Sequence, residues 1–275
     1  MSLPPPWRRV ASQRAGSGGG PAAPRALPEE VAVALVYDGT TQAVMMATPA
    51  DLEDFAIGFS LTEGIVTRAA GIGELELVGH AAGIEARMWL DAGRAQALAD
   101  RRRAMTGPVG CGLCGIDSLE QALRPIPPLP PGGPRLTAAE IAEAMAALAR
   151  QQKLHDATRA VHAAGFWQPG RGLVALREDV GRHNALDKLA GALARAGIDG
   201  GTGAVLLTSR VSVEMVQKTA AIGARLLIAV SAPTAHAVRL ADGAGITLAA
   251  HARGATCDLY THPDRINMEA ATDVA

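Results

Sequence analysis

Two closely spaced cysteines are the residues with the clearest chemical potential in this sequence. Cys111 and Cys114 stand in the run VGCGLCG, where glycines flank and separate the thiols. Glycine lets the backbone turn sharply and leaves the neighbouring sulfurs accessible. A thiolate can accept sulfane sulfur as a persulfide, and basic groups such as residues 101–103 (RRR) favour the thiolate when they lie close to it. The pair therefore predicts a sulfur carrier.

Other roles for the cysteine pair have less support. A structural zinc site needs four ligands, but only Cys257 remains and no histidine pair stands at zinc-finger spacing. A thioredoxin-like redox motif opens a longer helix than the residues after Cys114 favour, so disulfide exchange ranks second. A zinc deaminase also needs an HxE motif, which none of the seven histidines forms. The sequence thus predicts no metal ligands, and structural zinc remains a minority alternative.

Three polar segments in the C-terminal half each lead from an apolar run into a predicted helix. They span residues 177–189, 207–218 and 230–235. Ligands bind at the carboxyl ends of strands in open α/β sheets, and Arg or hydroxyl groups at a helix N-terminus hold phosphate. The segments therefore predict an anion site, whose candidate ligands are His183, Arg210, Lys218 and Ser231.

Each of these residues also has an ordinary structural explanation. A solvated loop with a helix cap accounts for any single one, and Lys218 falls at ion-pair spacing from Glu214. Residues 251–254 (HARG) and 260–266 (YTHPDRI) either close the pocket or cap the C-terminus. Because neither a Walker motif nor a strand-linked GxGxxG occurs, ATP hydrolysis and Rossmann cofactor chemistry are poorly supported.

Composition limits the class of function. The 275 residues are 48% hydrophobic, carry a formal net charge of -1 and have a pI near 6.7. Such a chain buries a sizeable core but lacks the positive field of a protein that coats nucleic acid or an acidic membrane. No apolar run resembles a signal peptide or a membrane span, so a cytoplasmic protein is expected.

The order of patterns along the chain predicts two folded units. Local composition alone separates them, because Pro- and Gly-rich stretches build neither helices nor central strands. The predicted division is a disordered tail at residues 1–28, an α+β domain at 29–124 that ends in the cysteine loop, a Pro-rich linker at 125–134 and an α/β domain at 135–268.

Turn and cap signals place the main elements. Asp38-Gly39 predicts a hairpin turn, Thr48 predicts a helix cap, and Thr137 with Glu140 predicts a capping box. After residue 160, strand-like and helix-like patterns alternate. This alternation predicts a largely parallel sheet with helices on both faces.

Five ordered motifs resemble those of the FdhD family, the formate dehydrogenase accessory sulfurtransferases. They are CGLCG at residues 111–115, REDVGRHNALDKL at 177–189, TSRVSVEMVQK at 208–218, AVSAPTAHAVRLADGAGITL at 229–248 and YTHPDRI at 260–266. Five motifs in one order are more specific than any one alone. The resemblance implies a cytidine-deaminase-like three-layer α/β fold, with helices on both faces of the sheet and a smaller N-terminal α+β domain.

The resemblance also implies roles for individual residues. Cys111 would carry the persulfide, and Cys114 would be the second thiol. His251 stands where relatives commonly have an aromatic residue. The implied cofactor-binding stretch is Leu248, Ala249, Ala250, His251, Ala252, Arg253 and Gly254.

The implied activity is the transfer of sulfane sulfur from a cysteine desulfurase, through Cys111, to a molybdenum bis(molybdopterin guanine dinucleotide) cofactor that serves formate dehydrogenase. Arg210, Lys218 and Arg253 would hold the cofactor phosphates. A homodimer is expected, with neither nucleic acid nor membrane as partner. Two alternatives stay open: a non-catalytic chaperone that binds the cofactor, and a zinc-stabilised binding protein.

Overall fold

The computed structural model describes residues 3–16, 20–91, 126–254 and 256–267. Cys111, Cys114 and the predicted end of the first domain lie outside these residues. The described strands are β1 (Trp7–Arg14), β2 (Gly20–Pro28), β3 (Val31–Tyr37), β4 (Thr40–Ala47), β5 (Ile72–His80), β6 (Gly83–Leu90), β7 (Leu136–Thr137), β8 (His162–Gln168), β9 (Gly172–Asp179), β10 (Ala204–Leu207), β11 (Leu226–Ala229), β12 (Thr247–Arg253), β13 (Thr256–Thr261) and β14 (Ile266–Asn267). The described α-helices are α1 (Leu52–Thr62), α2 (Ala138–Gln151), α3 (Lys153–Thr158), α4 (Arg182–Arg195), α5 (Val213–Ile222) and α6 (Ala235–Gly243).

The N-terminal residues form a hairpin where their composition predicted a disordered tail. β1 and β2 pair antiparallel, beginning with Trp7 opposite Pro28. Composition missed the hairpin because cross-strand backbone hydrogen bonds need no apolar core, and every residue of β1 is exposed. At the base of the hairpin, Glu29 N donates to the Pro6 carbonyl oxygen over 2.8 Å, and Arg8 forms an ion pair with the Glu29 carboxylate.

A four-stranded sheet in the order β4-β3-β6-β5 forms the smaller unit. The predicted turn at Asp38-Gly39 is confirmed: it joins β3 to β4, and both residues have positive φ, as this hairpin turn requires. Helix α1 covers one face of the sheet, where Phe55 and Tyr37 are fully buried. This part of the chain is therefore α+β, as expected.

Helix α1 begins later than the sequence indicated. Its N-cap is Asp51, whose backbone is left-handed (φ 53°) and whose side chain makes no capping hydrogen bond. Thr48 is buried, and its Oγ1 accepts a hydrogen bond from Val180 N over 3.2 Å. The threonine hydroxyl is therefore used in a contact with the larger unit, which local sequence cannot reveal.

The larger unit contains a six-stranded sheet in the order β13-β12-β11-β10-β8-β9. Strands β10, β11 and β12 are parallel, but β8 is antiparallel to both β9 and β10, and β13 is antiparallel to β12. The expectation of a largely parallel sheet is therefore wrong, because the sheet is mixed. The connections after β8 and β12 contain only a few residues, and connections that short form hairpins, not crossovers.

Helices cover both faces of the six-stranded sheet, as predicted. On one face α2 packs Ile141 and Leu148 against Leu206 of β10. On the other face lie α4, α5 and α6. Helix α2 begins with the predicted capping box, in which Thr137 Oγ1 accepts from Glu140 N and the Glu140 carboxylate accepts from Thr137 N. The larger unit thus has three layers.

Helix α1 of the smaller unit packs directly on α4 of the larger one. The two backbones approach so closely that a Cβ added to Gly58 would overlap the Asp187 carbonyl oxygen, and one added to Gly191 would overlap the Asp54 carbonyl oxygen. Charged side chains surround this crossing, and we refer to the whole contact, including Lys218 of α5, as the α1–α4 seam. The seam holds the two units together as one packed body.

Candidate functional site

The loops after β10, β11 and β12 meet at one edge of the six-stranded sheet. Val211 N donates to the Ala232 carbonyl oxygen (3.1 Å) and Thr234 N donates to the Val211 carbonyl oxygen (2.9 Å), which holds two loops side by side. His251 N lies 3.5 Å from the Ser231 carbonyl oxygen. The sequence-predicted polar segments therefore do converge where parallel strands end. We call residues 179–183, 208–212, 230–234 and 251–254 the carboxyl edge.

Two helices begin at the carboxyl edge without a side-chain cap. Helix α4 follows Gly181 and α5 follows Ser212, and neither residue makes a capping hydrogen bond through its side chain. At the start of α4, Arg182 Nε and His183 Nε2 are shielded from solvent and have no hydrogen-bond partner among the described residues. Helix dipoles and nitrogen atoms without a hydrogen-bond partner favour an anionic ligand.

Glu214 lies in the first turn of α5, next to the carboxyl edge. Its carboxylate accepts a 2.6 Å hydrogen bond from Ser212 Oγ and lies 3.9 Å from His183 Nε2, a charge contact too long for a hydrogen bond. The His183 imidazole, aided by the Ser212 hydroxyl and opposed by burial, lowers the pKa of Glu214 from 4.5 to about 2. Glu214 is therefore ionised at neutral pH and faces His183, not Lys218.

His162 belongs to the same edge and was not identified from the sequence. It pairs with Asp179 at the start of β8, and the next residue, Ala163, donates from its backbone N to Thr208 Oγ1 over 2.9 Å. Burial, followed by the positive charge of Arg182, lowers the pKa of His162 below its usual value, so the imidazole is neutral at neutral pH. Strand polarity was the missing signal, because β8 is antiparallel and its first residue reaches the edge.

Most of the predicted cofactor stretch at residues 248–254 lies inside the protein. Its strand pairs with β11 on one side and β13 on the other. The side chains that are buried, and therefore unable to contact a cofactor as expected, are those of Leu248, Ala249, Ala250 and Ala252. The exposed members are His251, Arg253 and Gly254.

His251 is held in an unusual conformation at the end of this stretch. Its φ of 51° lies in the left-handed region, which is uncommon for a residue with a side chain. The His251 Nδ1 atom is 2.9 Å from Asp258 Oδ2 and 3.3 Å from the Tyr260 hydroxyl. Arg210 and Arg253 are exposed nearby along the edge, and Ser231 is half-buried. These residues can present two guanidinium groups, an imidazole and a hydroxyl to one ligand.

Lys218 does not reach the carboxyl edge. Its ammonium lies 2.9 Å from Asp187, 2.8 Å from Glu63 and 3.0 Å from Thr62 Oγ1, and the residue is 5% exposed. Burial alone would lower the pKa of Lys218, but the Asp187 and Glu63 carboxylates outweigh it and raise the pKa. The geometry therefore argues against the predicted phosphate-binding role and places this ammonium in the α1–α4 seam.

Part of the predicted ligand segment at residues 177–189 is also structural. Asp179 and Lys188 are fully buried and form an ion pair of 2.6 Å. Asp179 also accepts hydrogen bonds from Thr48 N and from Asn184 Nδ2, each over 3.0 Å. These contacts fix the loop before α4, and so they position the side chains at the start of that helix.

The segment that contains both cysteines joins the described structure away from the carboxyl edge. Before it, Asp91 N donates to the Gly71 carbonyl oxygen over 3.4 Å. Ala69, two residues before Gly71, lines a cavity of about 350 Å³ together with the C-terminal ends of α4 and α5. After the segment, Leu129 N donates to the Ala244 carbonyl oxygen at the end of α6 over 3.0 Å. Helices that return between parallel strands end at the opposite, amino edge, so both attachments lie there.

No three His, Cys, Asp or Glu side chains within the described ranges come together as a metal-binding group. Cys257 is half-buried in β13, and burial raises the pKa of its thiol. In the same part of the chain, none of the helices is both long enough and apolar enough to cross a membrane.

The structure is a mixed α/β fold with a sheet edge that suits an anionic ligand. Comparison with known proteins identifies its family. The FdhD/NarQ family model matches residues 28–267. The chain therefore belongs to the FdhD/NarQ family.

Relatives match along nearly the whole chain. The "Sulfur carrier protein FdhD" of Agrobacterium fabrum is 53% identical over 97% of this chain and 98% of its own length. The protein of the same name from Brucella abortus is 60% identical over 88% of this chain and 90% of its own length. A crystal structure of a candidate formate dehydrogenase accessory protein from Desulfotalea psychrophila aligns with a TM-score of 0.76 and 25% identity, covering 96% of this chain and all of the other.

Proposed function

We propose that this chain is a sulfur carrier that supports formate dehydrogenase. The observation that carries the proposal is the near full-length similarity to a protein named as a sulfur carrier, at 53% identity. In this proposal Cys111 accepts sulfur from a cysteine desulfurase and passes it to the molybdenum bis(molybdopterin guanine dinucleotide) cofactor. The activity is that of a sulfurtransferase.

The sulfur transfer proceeds in two steps. The Cys111 thiolate attacks the outer sulfur of the donor persulfide, the S–S bond of the donor breaks, and the donor cysteine leaves as a thiolate. Cys111 then carries the outer sulfur. In the second step the Cys114 thiolate attacks the inner sulfur of Cys111, which forms a disulfide between the two cysteines and releases hydrosulfide toward the acceptor.

We propose that the acceptor cofactor binds as a substrate at the carboxyl edge. Its guanine nucleotides carry phosphates, and two uncapped helix N-termini together with Arg210 and Arg253 suit such anions. The strongest support is that Arg182 Nε and His183 Nε2 are hidden from solvent without a hydrogen-bond partner among the described residues. The Ser231 hydroxyl and the His251 imidazole supply further polar groups at the same edge.

The remaining parts of the proposal concern location, assembly and fold. We propose a cytoplasmic homodimer, and a larger unit that resembles the cytidine deaminase fold. The support for the fold is a mixed sheet whose parallel centre, β10 to β12, is covered by helices on both faces.

Intact-mass spectrometry tests the carrier function directly. The purified protein is incubated with a cysteine desulfurase and cysteine, and its mass is compared with that of Cys111→Ala and Cys257→Ala treated in the same way. We expect the wild type and Cys257→Ala to gain one sulfur that reduction removes, because burial disfavours the Cys257 thiolate. Cys111→Ala should gain none.

Two outcomes would overturn the carrier function. One is the absence of any mass gain in the wild type. The other is full activation of formate dehydrogenase in cells by Cys111→Ala, which would favour a chaperone that only binds the cofactor.

A further inference from the structure

His162 stands between two segments of the carboxyl edge. Strand β8 lies between β10 and β9 in the sheet, and its first residue, His162, pairs with Asp179. On the β10 side, Ala163 N donates to Thr208 Oγ1 over 2.9 Å. Side chains of a strand alternate between the two faces of the sheet, so His162 shares a face with Ala164. Because Ala164 packs in the same core cluster as residues of α4, the His162 imidazole lies on the side of the sheet where α4 begins.

Charged and titratable groups from three elements face this imidazole. They belong to Arg182 and His183 at the start of α4, Asp179 at the end of β9 and His155 in α3. Asp179 is the one acid in this set, and its carboxylate is already paired with the Lys188 ammonium over 2.6 Å. Burial and the Arg182 charge outweigh Asp179 and lower the pKa of His162. The imidazole is therefore neutral at neutral pH and lies beside a positive charge.

The His162 ring also lacks a hydrogen-bond partner. It is half-buried, and neither of its ring nitrogens is hydrogen-bonded to another residue within the described ranges. Arg182 Nε and His183 Nε2 lack a hydrogen-bond partner there as well. A titratable group that burial and one specific charge displace from its ordinary pKa is typical of a functional site. Three nitrogen-bearing side chains are thus gathered at the place where an anion could accept hydrogen bonds from them.

We propose that His162 binds a phosphate of the acceptor cofactor as an imidazolium, and that it takes up the required proton from solvent when the phosphate binds. A nearby negative charge favours the charged form of histidine, so a bound phosphate opposes the effect of Arg182. The protonated ring has two N–H donors, and either can donate to a phosphate oxygen. This role rests on the proposed cofactor site at the carboxyl edge and adds a pH dependence to it.

The expected sign of the pH dependence follows from linkage. Above the range in which histidine titrates, His162 is neutral both with and without the ligand, so it adds little to binding. As the pH falls, the complex gains its proton first, because the phosphate favours the imidazolium. The affinity therefore rises as the pH falls, until the free protein is protonated as well.

Isothermal titration calorimetry with GDP-mannose tests this role. Both phosphates of this guanine nucleotide are esterified, so neither titrates near neutral pH, and the protons exchanged come from the protein. Titrations at neutral pH in two buffers with different enthalpies of ionisation give the number of protons taken up. We expect about 0.5 to 1 proton per ligand for the wild type, and a value lower by about that amount for His162→Asn, which cannot become a cation. The Kd of His162→Asn should be raised about tenfold at about pH 6 and less than about twofold at about pH 8.

Two further variants guard against a trivial explanation. His162→Gln should behave like His162→Asn, and both should unfold near the wild-type temperature, because the ring makes no hydrogen bond to a described residue that they could lose. His80, which pairs with Glu85 in the smaller unit, supplies the matched control. His80→Asn should change neither the Kd nor the proton uptake.

The outcomes separate this role from the proposed function. Binding by the wild type without proton uptake overturns the role of His162 and leaves the cofactor site in place. The same holds if His162→Asn and His162→Gln retain the full uptake, because another group then takes the proton. A wild type that binds no GDP-mannose at any pH tested overturns both the site and this role. Uptake that depends on His162 in a protein that never gains sulfur on Cys111 would support this role and overturn the carrier function.

Discussion

In the α1–α4 seam the buried charged groups make hydrogen bonds to opposite charges, whereas at the carboxyl edge two buried nitrogen atoms make no hydrogen bond. In the seam the Lys218 ammonium lies between Asp187 and Glu63. At the carboxyl edge, Arg182 Nε and His183 Nε2 are hidden from solvent without a hydrogen-bond partner among the described residues, and the Glu214 carboxylate lies 3.9 Å from His183 Nε2. Both regions draw on residues 177–189, so adjacent positions of one motif serve different purposes. Pairing and burial, not the density of charge in the sequence, separate structural residues from candidate ligands.

The difference has an energetic meaning. Removing one partner of a buried ion pair leaves a charge with neither water nor counter-ion, which is strongly destabilising. A cationic side chain without a partner in the protein contributes little to the stability of the fold and can instead bind a ligand. Its removal should therefore weaken ligand binding and leave the stability unchanged. Variants in the two regions should therefore fail in different assays.

The largest effect on stability is expected from Lys218→Met, which leaves the buried Asp187 carboxylate in the seam without its cationic partner. The free energy of unfolding should fall by about 3 to 5 kcal/mol in urea titrations at pH 7. Adding Asp187→Leu should recover part of this loss, because no unpaired buried charge then remains. A Lys218→Met protein that stays stable but has lost affinity for GDP, a probe for the nucleotide part of the cofactor, would instead assign this residue to the ligand site.

Gly58→Ala should disrupt the seam by steric overlap. The new Cβ meets the Asp187 carbonyl oxygen, so the two helices must separate, and we expect a loss of about 3 kcal/mol in unfolding free energy. Gly243→Ala is the matched control, because a Cβ there meets open space and should change stability by at most about 1 kcal/mol, in the favourable direction. Equal effects of the two variants would mean that the helices are not in close contact.

Local signals predicted most of the elements but not their long-range arrangement. The Asp38-Gly39 turn and the Thr137 capping box depend on neighbours in sequence, and both are confirmed. Thr48 was assigned as a cap because a local pattern fitted, although a residue from the larger unit uses its hydroxyl. The mixed sheet was missed because strand alternation alone does not fix strand direction.

For the candidate site too, the sequence predicted local positions but not long-range contacts. The sequence placed His183, Arg210 and Ser231 on strand-to-helix loops, and the structure brings these loops to one edge. It could not exclude Lys218, whose partner Glu63 is 155 positions away in the chain. Nor could it find His162, which reaches the edge through an antiparallel strand.

Glu214→Gln should change the acid stability by a smaller amount. The pKa of Glu214 is about 2 in the folded protein and 4.5 ordinarily, so its ionised form stabilises the fold above pH 4.5, and this contribution disappears as the pH falls through 2. After allowance for solvent screening, the wild type should exceed Glu214→Gln by about 1 to 2 kcal/mol at pH 7. Urea titrations from about pH 6 to about pH 2 should show the two curves converging. A constant difference across this range would mean that the stabilisation comes from packing and not from charge.

The smallest effect on stability is expected from Arg210→Ala and Arg253→Ala, because both side chains are exposed at the carboxyl edge. Unfolding free energies should stay within about 0.5 kcal/mol of the wild type. Calorimetric affinity for GDP, used as a probe for the nucleotide part of the cofactor, should fall about tenfold in each variant, since each removes a charge-assisted contact to phosphate. Arg239→Ala, an exposed arginine on α6, is the matched control and should change neither quantity. If Arg210→Ala and Arg253→Ala bound GDP as well as Arg239→Ala does, the exposed arginines of the carboxyl edge would not bind the nucleotide, and the contrast with the seam would reduce to a difference in burial.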